Sequence, residues 1–220
     1  MPNAEVELKF PIRDLGWLQS RLPMLGFQLD TPRTFERNTL YDTPDRKLRL
    51  TRQILRIRQY GELWTLTHKR LPEGFAEDDS SRYKIRIETE TRIGDGPALS
   101  AIFQQIGYLP AFRYEKFRTE WSQVYLLNSG SPRQLGDLPE EISFPSRSHL
   151  VLDETPIGDF AELEGPPEWI DQTLAALGID PASCLTESYG RLFTAWKERT
   201  GGPAENLTFD EIPALARAGR

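Results

Sequence analysis

The sequence predicts an α+β fold built on a mostly antiparallel sheet, curled or closed on itself, with helices packed outside. About eight segments alternate apolar and polar residues with period two, the pattern of strands whose two faces meet different surroundings. These segments follow one another as neighbours, with helical patterns between only some of them, which argues against repeated βαβ units. At 220 residues the chain is long enough to bury a proper core.

The first strand is AEVELKFPI. A helix follows Asp14 as its N-cap, with Leu15, Leu18, Leu22 and Leu25 as its apolar stripe, and Pro23 kinks or shortens it. TFERNTLYDT, QILRIRQY and ELWTLTHKR are the next strands, and Gly61 in the short turn between the last pair marks a hairpin. RYKIRIETETRI follows. ALSAIFQQIGY is helical, with Leu99, Ile102, Phe103 and Ile106 on one side; the GDG before it, Gly94 to Gly96, is a turn without a phosphate-loop pattern. FRYEKFRTEWSQVYLL, HLVLDE and GDFAELE complete the strands. PPEWIDQTLAALG is a helix with prolines at its start and Gly178 at its end. A last helix spans PASCLTESYGRLFTAWKER from near Pro181. PEGFAEDDSS and NSGSPRQLGDLPEEISFPSRS read as mobile loops. Residues 1–200 read as a single domain, and 201–220 as a loose tail with one short helix in FDEIPALARA.

Composition excludes several classes. Hydrophobic residues make up 38% and charged residues 27%, ordinary for a soluble globular protein. A net charge of -6 argues against a general nucleic-acid binder. The opening MPNAEVELKF carries charges where a signal peptide needs an apolar run, and no stretch approaches a membrane-spanning helix, so the expected place is the cytoplasm with no membrane partner. Cys184 is the only cysteine, which rules out an intrachain disulfide and a thiolate metal cluster and leaves it a small buried hydrophobe.

The strands share one property. Glu5, Glu7 and Lys9 alternate with Val6, Leu8 and Phe10. Arg56 and Arg58 oppose Leu55 and Ile57. Lys69 lies with Thr65 and Thr67, opposite Trp64, Leu66 and His68. Lys84, Arg86, Glu88 and Glu90 oppose Ile85 and Ile87; Lys116, Arg118 and Glu120 oppose Phe117; Asp153 opposes Leu152; Glu162 and Glu164 oppose Ala161 and Leu163. For any single strand a charged face is most simply a solvated one. The set argues otherwise. The helices carry apolar stripes that need a partner surface, which outward apolar strand faces would supply, and the charged faces lack the Ser, Asn and Gln of an ordinary wet surface. Facing inward, these charges would line a polar channel and would have to be paired or bind a ligand. The acids suit a hard divalent cation, Mg²⁺ or Mn²⁺. The bases suit a multiply charged anion, since guanidinium forks match phosphate oxygens. A polyphosphate chelated to metal satisfies both.

Taken in order, EVELK, LRIR, THK, RIETE, EKFR, LDE and ELE resemble the ExExK-led signature of the CYTH superfamily, the triphosphate tunnel metalloenzymes, from about Glu5 to Leu192. The resemblance implies a closed antiparallel eight-stranded β-barrel flanked by helices. It implies that Glu5, Glu7, Glu88, Glu90, Asp153, Glu162 and Glu164 bind metal, and that Lys9, Arg56, Arg58, Lys69, Arg86, Lys116 and Arg118 grip a triphosphate. Two places depart from the family pattern. Arg70 and Leu71 follow Lys69 where many relatives have THKGP, and Glu187 stands where relatives often carry a lysine before the late Ser-Tyr pair, so that one phosphate contact is either missing or supplied from elsewhere, such as Lys197 or the tail.

The implied function is a divalent-metal-dependent enzyme that hydrolyses the terminal phosphate of an inorganic or organic triphosphate, with Mg²⁺ or Mn²⁺ as cofactor and a monomer or homodimer as its form. The alternatives are a class IV adenylate cyclase converting ATP to cyclic AMP and pyrophosphate, a non-catalytic polyphosphate- or nucleotide-binding module, and a β-rich scaffold with a charged exterior. The intact acid pairs favour the enzyme, because a plain anion binder gains nothing from carboxylates. No catalytic acid or base is assigned. His68 falls on the outward face, and His149, which shares the face of Asp153, reads as structural. The tryptophans read as packing residues. The basic run DRKLRLTRQILRIR reads as a hairpin whose arginines enter the channel, not as an RNA site.

Overall fold

The alternation of the strands resolves into a barrel in the computed structural model, which describes residues 3–74, 82–124 and 147–213. The strands are β1 (Asn3–Pro11), β2 (Gln28–Asp42), β3 (Ile54–Tyr60), β4 (Leu63–Arg70), β5 (Lys84–Ile93), β6 (Leu109–Val124), β7 (Arg147–Thr155) and β8 (Gly158–Glu164). They close in the order β1-β5-β4-β3-β2-β6-β7-β8, and every neighbouring pair is antiparallel. β2 is longer than its alternating core TFERNTLYDT: register shifts between Leu29 and Thr34 carry it past Pro32 and keep it paired with β6. The stretches read as loops lie largely outside the described residues.

The hydrocarbon is on the outside of the barrel wall, under the helices. Helix α1 (Leu15–Arg21) and helix α4 (Pro167–Leu177) cover β1, β7 and β8, and Val6, Leu8, Phe10, Leu150, Leu152 and Leu163 are buried with Leu18, Trp169, Ile170 and Leu174. α1 starts at Asp14, whose carboxylate accepts from the Trp17 amide at 2.8 Å, and ends ahead of a short turn led by Pro23. α3 (Gly96–Gln105) covers β3 and β4 through Phe103 and Leu99 against Ile57, Leu55, Trp64 and Leu66. Its first residue has to be glycine: a Cβ on Gly96 would stand 2.0 Å from the Trp64 ring. Another short helix, α2 (Lys47–Leu50), joins β2 to β3.

The last helix corrects an expectation. PASC does not open it; Pro181–Ser183 is an isolated 3₁₀ turn, and α5 runs Tyr189–Thr200 with Ser188 as its cap. The chain between stays extended because Leu185 exchanges backbone hydrogen bonds with Lys9, at 3.0 and 2.7 Å, on an edge of β1 that β5 does not reach. The segment expected to be loose also packs. Ala204, Leu207 and Ile212 are buried with Tyr114, Phe160, Tyr189 and Phe193, and Leu207 bonds to the backbone of β6 on both sides of Tyr114. Phe209 to Glu211 form a turn that bends at Ile212, and FDEIPALARA beyond Pro213 lies outside the described residues. Among the described residues no helix is long and apolar enough to cross a membrane.

Candidate functional site

Since the apolar sides of the strands face the helices, their charged sides face one another across the barrel axis. They line a cavity of about 840 Å³. Lys9, Arg56, Arg58, Lys69, Lys116 and Arg118 line it, as do Glu5, Glu7, Glu88, Glu90, Glu162 and Glu164. Asp153 and Arg86 sit on inward-facing register positions but do not line it; Asp153 is fully buried, and Arg86 donates to its neighbour's carbonyl, Ile85 O, at 2.8 Å. The basic run after β2 is corrected: Arg46, Lys47, Arg49 and Arg52 are exposed on and around α2, and only Arg56 and Arg58 enter the barrel.

The charges fall into two groups. On one side β1 and β8 bring Glu5, Glu7 and Glu164 together, with carboxylate oxygens within 4.8 Å of one another. Lys69 contacts Glu5 and lies 3.0 Å from Glu88, and Lys84 contacts Glu7. Among the described residues no cation pairs directly with Glu164, and Arg118 acts on it only from farther off. Burial, and then the neighbouring Glu5, push its carboxyl up to about 8. Three hard oxygen donors converging from rigid strands are what a divalent cation such as Mg²⁺ or Mn²⁺ requires.

On the other side stand the cations of β6, with their counter-charges. Arg118 donates to both oxygens of Asp153, at 2.7 and 2.6 Å, and to Glu162 at 2.5 Å. Lys116 donates to Asp153 at 2.9 Å, and Lys9 to Glu162 at 2.5 Å. So of the seven acids, Asp153 and Glu162 are held by Lys9, Lys116 and Arg118, while Glu5, Glu7 and Glu164 form the cluster, with Lys69 on Glu5 and Lys84 on Glu7. Glu88 stands between the groups, 3.0 Å from Lys69 and 3.9 Å from Arg56, while Glu90 accepts from Thr67 at 2.7 Å. Burial opposes the charge on Glu162, but Lys9, Arg118 and Lys116 outweigh it and hold that carboxyl well below its ordinary range. Arg56 donates to the Tyr114 hydroxyl at 3.1 Å and to Thr67 at 3.2 Å.

Several site residues escaped the sequence reading. Glu36 of β2 is wholly buried beside Arg58, at 2.5 Å, and Lys116, at 3.5 Å. Its strand was read, but its inner face runs Thr34, Glu36, Asn38, Leu40, which does not announce itself as charged. Lys84 and Glu120 were read on charged faces without being assigned to the site, and both line the cavity. Tyr189, first residue of α5, donates to Asp153 at 2.6 Å and sets its ring under the ammonium groups of Lys9 and Lys116, 4.3 and 4.9 Å away. Lys197 does not join the site; it pairs with Glu205 at 3.0 Å. His68 faces outward to Gln53, 2.8 Å away, and His149 lines the cavity with its ring 3.9 Å from Asp30.

A family model described as the CYTH domain matches residues 3–176. Among solved structures, a candidate adenylate cyclase from Vibrio parahaemolyticus is 16% identical, with a TM-score of 0.65 over 88% of this chain and 99% of that one. The PH1819 protein of Pyrococcus horikoshii is 21% identical, with a TM-score of 0.62 over 87% of this chain and 99% of that one. A candidate adenylyl cyclase from Hippeastrum, described as having a dominant triphosphatase activity, is 18% identical, with a TM-score of 0.53 over 89% and 96%. At these identities the likeness is one of fold. No curated protein is a significant match to the chain.

Proposed function

The chain belongs to the CYTH domain family, and from that premise we propose that it is a divalent-metal-dependent enzyme that hydrolyses the terminal phosphate of a small triphosphate. The observation that carries this is that one cavity joins an acid cluster, Glu5, Glu7 and Glu164, to the bases Lys9, Arg56, Arg58, Lys116 and Arg118. A plain anion site has no use for the acids, and a plain cation site has none for the arginines. The Hippeastrum protein's described triphosphatase activity supports hydrolysis over cyclisation.

In this reading Glu5, Glu7 and Glu164 would hold Mg²⁺ or Mn²⁺, with Glu88 and Glu90 nearby on β5, while Asp153 and Glu162 hold Lys9, Lys116 and Arg118 in place. A bound divalent cation would supply Lewis acidity and lower the pKa of a coordinated water. The rest is done by the chain itself. Lys9, Arg56, Arg58, Lys69, Lys116 and Arg118 grip phosphate oxygens, with Arg86 behind them on β5. They offset the negative charge that builds on the reacting phosphoryl group. Their strands are hydrogen-bonded on both sides in a closed barrel, so the groups are fixed before substrate arrives, which removes reorganisation from the barrier.

The deciding experiment is a product assay. Purified protein is incubated with tripolyphosphate, thiamine triphosphate or ATP, with Mg²⁺, with Mn²⁺ or with chelator, and the products are separated by anion exchange. We expect phosphate and a diphosphate, released only with metal. Glu7→Gln should abolish turnover yet leave tripolyphosphate binding measurable. Cyclic AMP and pyrophosphate from ATP would replace hydrolysis by cyclisation at the same residues. No product from any substrate would leave a binding module.

A further inference from the structure

Glu36 is a carboxylate with no exposed surface, placed among cations. β2 lies between β3 and β6 in the barrel, and Glu36 reaches the bases of both. One oxygen, Oε2, accepts from Arg58 of β3 at 2.5 Å and lies 3.9 Å from Arg118 of β6. The other, Oε1, accepts from Asn38 Nδ2 at 2.7 Å and lies 3.5 Å from Lys116 of β6. These three bases line the cavity, and Glu36 does not. It is therefore closed off from substrate and from metal, and acts only on groups that are not.

A buried ion pair contributes little net stability, because the cost of removing charges from water consumes the attraction. What Glu36 gives instead is geometry. Arg58 on β3 and Lys116 and Arg118 on β6 would repel one another across β2, and a single carboxylate between them sets their spacing. Asp153 does the same from the far side of β6, and Tyr189 and Lys116 fix it in turn. Resting on the triphosphate reading, we infer that Glu36 is a positioning residue that sets the spacing of Arg58, Lys116 and Arg118 to that of adjacent phosphates. Its charge weakens the attraction of the wall for an anion, and its contacts hold the wall in register. Removing the charge therefore separates binding from turnover. A misplacement of about 1 Å in such a site costs on the order of 10²-fold in rate.

The test uses Glu36→Gln and Glu36→Asp in the full-length protein, with tripolyphosphate and Mg²⁺ for kinetics and tripolyphosphate alone for calorimetric binding. E36Q should lose at least tenfold in kcat while KM and Kd stay level or fall. E36D keeps the charge but draws it back by one methylene; it should fold, keep KM within about twofold and lose at least threefold in kcat. E36D guards against a Gln variant that fails to fold. Parallel losses in binding and turnover, or kinetics of both variants within twofold of the wild type, would overturn the assignment while leaving the triphosphate reading intact. A wild type that neither binds nor cleaves tripolyphosphate overturns both.

Discussion

Glu162 and Glu164 stand on the same face of β8, one turn of the pleat apart, and their carboxyls move in opposite directions. Burial works against the charge of each. At Glu162 it is overcome by Lys9 and Arg118; at Glu164 it is reinforced by Glu5. The boundary between the basic and the acidic half of the cavity thus passes between neighbouring inward positions, and no rule of alternation reveals it. Glu36 lies well inside the basic half. Burial opposes its ionisation, and Lys116, Arg58 and Arg118 more than compensate, so its carboxyl is held well below the ordinary 4.5. A depressed carboxyl contributes stability that is present above its unfolded pKa and is lost as pH falls through its folded one, because in that window the unfolded chain takes up a proton that the folded chain refuses. We expect stability to fall as pH drops below 4.5, and E36Q to lose up to about 1.4 kcal/mol per pH unit of that slope. Denaturant titrations across the acid range check this; parallel slopes in wild type and variant would refute it. What the sequence showed at this scale was which residues share a face. It did not show which cation sits with which acid, since that depends on register between strands far apart in the chain.

Elements with two unlike faces were the most legible. Strands β1, β3, β4, β5, β6, β7 and β8 were visible because charged positions alternate with mostly apolar ones, and the barrel places the two sets on opposite sides of its wall. Elements fixed by remote partners were not. The start of α5 depends on Leu185 pairing with Lys9, and nothing in PASCLTE encodes that. α2 has four residues and no apolar stripe of its own to betray it. The entry to α3 was read as a plain turn, and the structure gives it a packing reason. Asp95 caps the helix by accepting from the Ala98 amide at 2.9 Å, and the absent side chain of Gly96 leaves room for the Trp64 indole of β4. Gly96→Ala would press a methyl group into a rigid ring that is itself packed under α3. We expect it to destabilise the fold by about 1–3 kcal/mol, the range for overpacking, although alanine is the better helix former. Equal denaturation midpoints for G96A and wild type would show that α3 can shift away from β4 at no cost.

At the scale of the molecule, the barrel wall is completed by segments outside the eight strands. β6 pairs with β2 from Leu109 to Ser122 but with β7 only from Phe117 onward, so its first half has an open edge facing that side. The segment after Gly202, expected to hang free because glycines and a proline introduce it, fills that edge. The Leu207 amide donates to Arg113 O at 3.0 Å, and the Glu115 amide donates to Leu207 O at 2.9 Å. Between those two bonds lies Tyr114, whose hydroxyl receives Arg56 at 3.1 Å inside the cavity. Leu207 is fully buried among aromatic rings, so its removal leaves a cavity that the surrounding barrel and helix cannot readily collapse. Leu207→Ala should cost about 2–5 kcal/mol in a denaturant titration. The same change should loosen the backbone around Tyr114 and so release Arg56, which places a site effect on a residue that does not itself line the cavity. We therefore expect L207A, assayed well below its melting temperature, to raise KM for tripolyphosphate severalfold with a smaller change in kcat. A variant that loses stability but keeps the wild-type KM would mean that the segment supports the fold alone, with Arg56 held by Thr67 without help from Tyr114.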